Sequence, residues 1–122
     1  MKKTVILPLY EAPRYAEQVT DWLWQAFGEG LSREFFHSII EHSQTPGALP
    51  LTFIAVEDEQ LVGTVGLWRC DLITRQDLFP WLAALYVDDA ARGKGLAGKL
   101  QQHVITRAAQ AGYEELHLWS AC

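Results

Sequence analysis

Seven apolar residues, WLAALYV (Trp81–Val87), run straight into the glycine-rich segment VDDAARGKGLAGKL (Val87–Leu100), and this junction constrains the fold more than any other feature. A nearly continuous apolar run of this length reads as a central strand buried on both faces. Leu96 to Ala111 reads as a helix, with Leu96, Leu100, Val104 and Ala108 on one stripe and Gly112 as its stop. A strand, a glycine loop and a helix in that order gather backbone N–H groups at the helix start, where the helix dipole favours an anion.

The rest of the chain can be laid out around that junction. TVILPL reads as a first strand, and Glu11 to Phe27 as a helix with Tyr15, Val19, Leu23, Ala26 and Phe27 at helical spacing, ended by Gly28 and Gly30. Ser32 is placed to cap a second helix through Phe35, Ile39 and Ile40, and TPGALP is a loop. LTFIAV and LVGTVGLW are β-rich runs joined by polar EDEQ, which predicts a hairpin. Gly63 and Gly66 inside its second strand predict a bulge or a close backbone approach. DLITRQDLFP is a loop, and LHLWS a last strand. The order β-α-α-β-β-β-α-β predicts an α/β (α+β) fold with a mixed, mainly antiparallel, twisted sheet and one β-loop-α-β unit. The aromatics Tyr15, Trp22, Trp24 and Phe27 are expected mostly in the core.

Three phosphate-binding patterns overlap in the loop. Gly93, Gly98 and Lys99 give most of a Walker A loop, but Leu100 stands where a hydroxyl would ligate Mg²⁺. Gly93, Gly95 and Gly98 give G-x-G-x-x-G, but DDAAR separates the strand from the turn and no acid closes the next strand. Arg92, Gly95 and Ala97 give R-x-x-G-x-A, which fits best. There Gly95 admits oxygens close to the backbone, Ala97 keeps the first helical turn small, and Arg92 and Lys94 add positive charge. The bland alternative is a loop whose glycines serve only helix entry and packing.

LYVDDAARGKGLAGKL resembles the acetyl-CoA signature Q/R-x-x-G-x-G/A of the GNAT family of N-acetyltransferases, and the hairpin FIAVEDEQLVGTVGLW resembles that family's second and third strands. The resemblance runs from about Tyr10 to Trp119. It implies a GNAT-like fold whose fourth strand splays from the fifth, with pantetheine lying between them. It implies that Leu85, Tyr86 and Val87 offer backbone groups to pantetheine. The amides of Arg92, Gly93, Lys94, Gly95, Leu96 and Ala97 would hold the pyrophosphate, and an N–H near Val87 would stabilise the oxyanion. The implied reaction is direct acetyl transfer from acetyl-CoA to a primary amine of a small molecule or peptide, with no metal. The family often places a glutamate on or beside the fourth strand, whereas WLAALYV has no acid. Asp71 and Asp77 are therefore the candidate bases, and the general acid is unassigned.

The chain stops within or just after its last strand, where family members usually continue with a helix and two more strands. This implies a C-terminally incomplete single domain over residues 1–122. It also leaves an alternative: a non-catalytic module that binds coenzyme A or serves assembly. A homodimer through the exposed sheet edge is a further expectation.

The net charge of -5 argues against nucleic acid and anionic membranes as partners and leans towards a cationic acceptor. Cys70 and Cys122 read as free thiols rather than a disulfide framework, and His37, His42, His103 and His117 have no zinc spacing. There is no signal peptide or membrane-spanning run, so the expected location is the cytoplasm.

Overall fold

Asp58 and Glu59 both have positive φ, 50° and 66°, and join two strands through a two-residue turn. Positive φ at both central positions gives the turn the hand that matches strand twist. In the computed structural model, which describes residues 3–44, 49–68, 80–93 and 95–118, this hairpin is the centre of the sheet. Its strands are β2 (Leu51–Glu57) and β3 (Gln60–Trp68). β1 (Thr4–Pro8) pairs antiparallel with β2, β4 (Trp81–Val87) pairs antiparallel with β3, and β5 (His117–Leu118) pairs parallel with β4. The spatial order is therefore the chain order, β1-β2-β3-β4-β5, and the sheet is mixed and mainly antiparallel as its sequence predicts.

Side chains alternate across the strands, and each face of the sheet gathers its own core. Leu51, Phe53, Val65, Leu67 and Leu82 face α3 (Leu96–Gln110), meeting its predicted stripe of Leu96, Leu100, Val104 and Ala108. Ile54, Leu61, Trp68 and Ala83 face α1 (Ala16–Phe27) and α2 (Arg33–His42), meeting Val19, Leu23, Phe36 and Ile40. The sheet is thus sandwiched between α3 on one side and α1 and α2 on the other.

Local chemistry sets the helix ends. The Ser32 hydroxyl accepts from Phe35 N at 3.4 Å, the predicted cap of α2. Gly112, at φ 91°, donates to Ala109 O and Tyr113 donates to Ala108 O, the paired bonds that stop a helix with a left-handed residue. Arg33 fixes α2 to α1 through Asp21 (2.7 Å) and Glu17 (2.8 Å). These bonds hold the Arg33 guanidinium above its ordinary pKa, the Asp21 bond foremost.

Two expectations change. Leu9 to Tyr15 wind as two short 3-10 turns, so the first helix starts at Ala16 rather than Glu11. Pro13 causes this, because the residue before a proline is driven out of the helical region, and Ala12 sits at φ -144°, ψ 63°. The second change concerns aromatics. Tyr15 is buried and donates its hydroxyl to Glu59 O in the hairpin turn at 2.9 Å. Trp24 and Phe27 are instead 42% and 44% exposed. The buried residues of α1 are Val19, Thr20 and Leu23; Trp24 flanks them and Phe27 is the last residue of the helix.

Candidate active site

The site begins with an irregularity inside β4. Thr64 pairs with Tyr86 and Gly66 pairs with Ala83, so β4 takes three steps where β3 takes two. The extra residue is a β-bulge, and Ala84 carries it at φ 53°. A bulge bends its strand and increases local twist. It also leaves Ala84, Leu85 and Tyr86 half-buried, where the apolar run had predicted burial throughout. Gly63 and Gly66 mark close approaches instead. A Cβ on Gly63 would lie 2.9 Å from Leu100 Cδ1, and one on Gly66 would strike the Trp68 indole. β3 does carry a bulge, at Val62 beside Gly63.

The bulge divides β4 into two functional parts. Before it, Trp81 and Leu82 pair with His117 and Leu118 of β5. Beyond it, no residue of β4 pairs with β5 among the described residues. Asp88 N donates to Val62 O at 2.9 Å, so the chain at residue 88 faces β3. Backbone groups alternate in an antiparallel ladder. Tyr86 then also faces β3, consistent with its pairing to Thr64, while Val87 turns its N–H and C=O, and Leu85 its C=O, to the opposite edge.

That edge leads directly to the glycine loop. Asp89 to Ala91 make one 3-10 turn, closed by Ala91 N on Asp88 O (2.8 Å) and Arg92 N on Asp89 O (3.3 Å). Gly93 and Gly95 follow at φ 83° and 76°, a backbone conformation that glycine adopts without strain. Gly95 is the N-cap of α3, so no side chain caps the helix, and its first turn carries no acid. The first intrahelical bond is Lys99 N on Gly95 O at 3.2 Å. The N–H groups of Leu96, Ala97 and Gly98 therefore project from an uncapped, electropositive helix end. Positions 93, 95 and 98 have open space where a Cβ would stand.

Arg92 does something the sequence pattern did not indicate. Its Nε donates to Val87 O at 2.9 Å and its Nη1 pairs with Asp89 Oδ1 at 2.7 Å. Its Cζ lies 5.7 Å from the centre of the Tyr86 ring. Tyr86 in turn packs on Trp22 of α1, ring centres 5.1 Å apart and tilted by 55°. A guanidinium and two aromatic rings thus connect the glycine loop, β4 and α1.

Leu85, Tyr86, Val87, Arg92, Gly93, Gly95, Leu96 and Ala97 lie around the end of β4 and the start of α3, but the Tyr86 backbone faces β3 and the Arg92 N–H donates to Asp89 O, so neither offers the backbone group that the resemblance implies. Lys94, Asp71, Asp77, Cys70 and Cys122 lie outside the described residues. Among the described residues no group of three or more His, Cys, Asp or Glu side chains could hold a metal. No described helix is long and apolar enough to cross a membrane. The missed features were the Ala84 bulge, which an alanine does not advertise, and the Trp22–Tyr86 contact, which joins residues far apart in the chain.

Comparison with known proteins bears on the fold and the family. The chain matches the profile of the Acetyltransferase (GNAT) family over residues 16–121. A search of curated protein sequences returned no match. Among solved structures, an aminoglycoside N-acetyltransferase in complex with CoA superposes with a TM-score of 0.77 at 18% identity, over 99% of this chain and 79% of that one. A predicted acetyltransferase with acetyl-CoA from Clostridium acetobutylicum gives 0.72 at 14% identity, over 99% and 82%. An aminoglycoside 6'-N-acetyltransferase complexed with coenzyme A gives 0.72 at 20% identity, over 93% and 60%.

Proposed function

Because this chain belongs to the GNAT acetyltransferase family, we propose that it moves an acetyl group from acetyl-CoA to a primary amine of a small molecule or peptide, directly, in a ternary complex. One observation carries the reading. A strand edge freed by the Ala84 bulge runs into the uncapped N-terminus of α3, so an extended amide chain and a pyrophosphate can be bound in sequence. Pantetheine is such a chain, with donors and acceptors that match the outward C=O of Leu85 and N–H of Val87. The amides of Leu96, Ala97 and Gly98 suit the pyrophosphate oxygens. That similar folds were crystallised with CoA and acetyl-CoA supports the assignment.

The chemistry follows from the placement. The amine nitrogen attacks the thioester carbonyl carbon, and the carbonyl oxygen takes up charge. Backbone N–H groups on the β4 edge are donors of the kind that stabilise such an oxyanion. The C–S bond then breaks, and coenzyme A leaves as thiolate. The attacking nitrogen must first lose a proton. For an alkylamine of pKa near 10.4 this costs about 3 pH units, roughly 4 kcal/mol, at neutral pH. β4 offers no carboxylate for it. We assign the proton to Asp71 or Asp77, in the segment between β3 and β4, or to water.

The lack of an acid on β4 is also the observation that favours a second reading, a module that binds coenzyme A without turnover. Two measurements separate the readings. Calorimetric titration with acetyl-CoA, against NAD and ATP as controls, should show selective binding at micromolar concentration. Thiol release from acetyl-CoA across a panel of amines, aminoglycosides and polyamines included, should then identify a substrate. Binding without release from any amine would favour the second reading, and folded protein that binds no acetyl-CoA would sink both.

A further inference from the structure

The signature arginine of the loop invites a simple electrostatic role, a positive charge facing the pyrophosphate. Its observed contacts point elsewhere. Nε donates to Val87 O at 2.9 Å and Nη1 holds Asp89 at 2.7 Å. The backbone N–H of Arg92 donates to Asp89 O. The Nε, the Nη1 and the amide of Arg92 thus all bond inside the loop. The loop spans from the last residue of β4 to the first glycine, and Arg92 Nε ties its two ends together. The Asp89 pair is well exposed on both sides (57% and 84%), and an exposed pair of this kind contributes little. The Nε bond to the buried end of β4 is the contact that sets the geometry.

We infer that Arg92 is a positioning residue: its Nε–H braces the loop against Val87 O and so aims the N–H groups at the start of α3, and its charge is not what coenzyme A requires. The inference rests on the coenzyme A reading above for its ligand, but the brace itself is a property of the free protein. It also implies a division of labour on the cleft edge. Val87 O is taken by Arg92, so Val87 N–H and Leu85 C=O are what remain for a ligand.

Covalent structure supplies a clean test. Glutamine places its Nε2–H as many bonds from Cα as arginine places Nε–H, without the charge. Lysine keeps the charge but puts a methylene at that position and its donor one bond further out. With a brace, Arg92→Gln should keep the Kd for coenzyme A within about threefold, while Arg92→Lys and Arg92→Ala weaken it about tenfold or more. The slope of log Kd against log salt concentration should be the same in Arg92→Gln as in the native chain, because no ligand-facing charge has gone. Lysine equal to native with glutamine weakened, or a shallower salt slope in Arg92→Gln, would overturn the inference. Amide hydrogen exchange in the ligand-free protein is the second arm. Exchange at residues 95–98 should quicken in Arg92→Ala and Arg92→Lys and stay near native in Arg92→Gln. Unchanged exchange in Arg92→Ala overturns the brace whatever binds. Failure of the native chain to bind coenzyme A, with exchange behaving as stated, would count against the proposed function and leave the brace standing.

Discussion

A methyl group on Gly95 would meet no neighbouring atom, yet Gly95→Ala should still weaken binding. The cost lies in the backbone. At φ 76° an L-residue is strained by about 1–2 kcal/mol. The loop can escape that strain only by turning its N–H groups away from the ligand. We expect the Kd for coenzyme A to rise about tenfold with little change in thermal stability, as calorimetry and melting curves would show. A large loss of stability with normal affinity would mean that the glycine serves packing. This loop was the most legible part of the sequence, because glycine spacing has a direct conformational meaning. Arg92 was only half legible. A motif gives the residue and not its rotamer, so the charge was apparent and the bond to Val87 O was not.

At the scale of the element, β4 is the strand that departs from its sequence. WLAALYV reads as an unbroken central strand, and it is one only as far as Ala83. Nothing in an alanine signals positive φ, so the bulge could not be read from the chain. Ala84→Gly tests it by sign. In a regular strand a glycine would cost about 0.5–1 kcal/mol. At φ 53° it should instead leave stability unchanged or raise it by up to about 1 kcal/mol, measured by denaturant unfolding. The hairpin turn repeats the logic. EDEQ was readable as a turn from its polarity, and Asp58 suits the left-handed conformation both residues adopt, but Glu59 stands where such a turn prefers glycine. Glu59→Gly should stabilise by a few tenths to about 1 kcal/mol, keeping the Glu59 carbonyl that Tyr15 bonds. A fall in the melting temperature would contradict that account. Helix α2 was read well because Ser32 caps it through a local bond. The start of α1 was misplaced because helical spacing continued across a proline that the backbone did not follow.

At the scale of the molecule, the three layers decide which groups lose water on folding. His103 lies on α3 with its ring edge to Phe53, centres 4.8 Å apart. Burial holds its imidazole below the usual 6.5, and the charge of Arg107 acts in the same direction. The folded chain therefore binds this proton more weakly than the unfolded chain does. The contribution to stability is fully present above about pH 6.5 and is lost as pH falls through the folded value. His103→Gln should flatten the stability profile in that acidic window, and an unchanged profile would remove His103 from the account. That the sheet has a strand covered on both faces was legible from the apolar run of β4, though not which helix covers which face. The contact between Trp22 and Tyr86 was not, because it depends on how α1 is laid across the sheet. The bulge at Ala84 has a consequence for self-association as well. A row of outward N–H and C=O groups ordinarily recruits another strand, and long flat edges are where chains aggregate. The β4 edge is bent at its midpoint, and beyond the bend it is short and partly occupied by Arg92. An edge so shaped is a poor template for a neighbouring polypeptide, so the kink that frees it among the described residues also guards it.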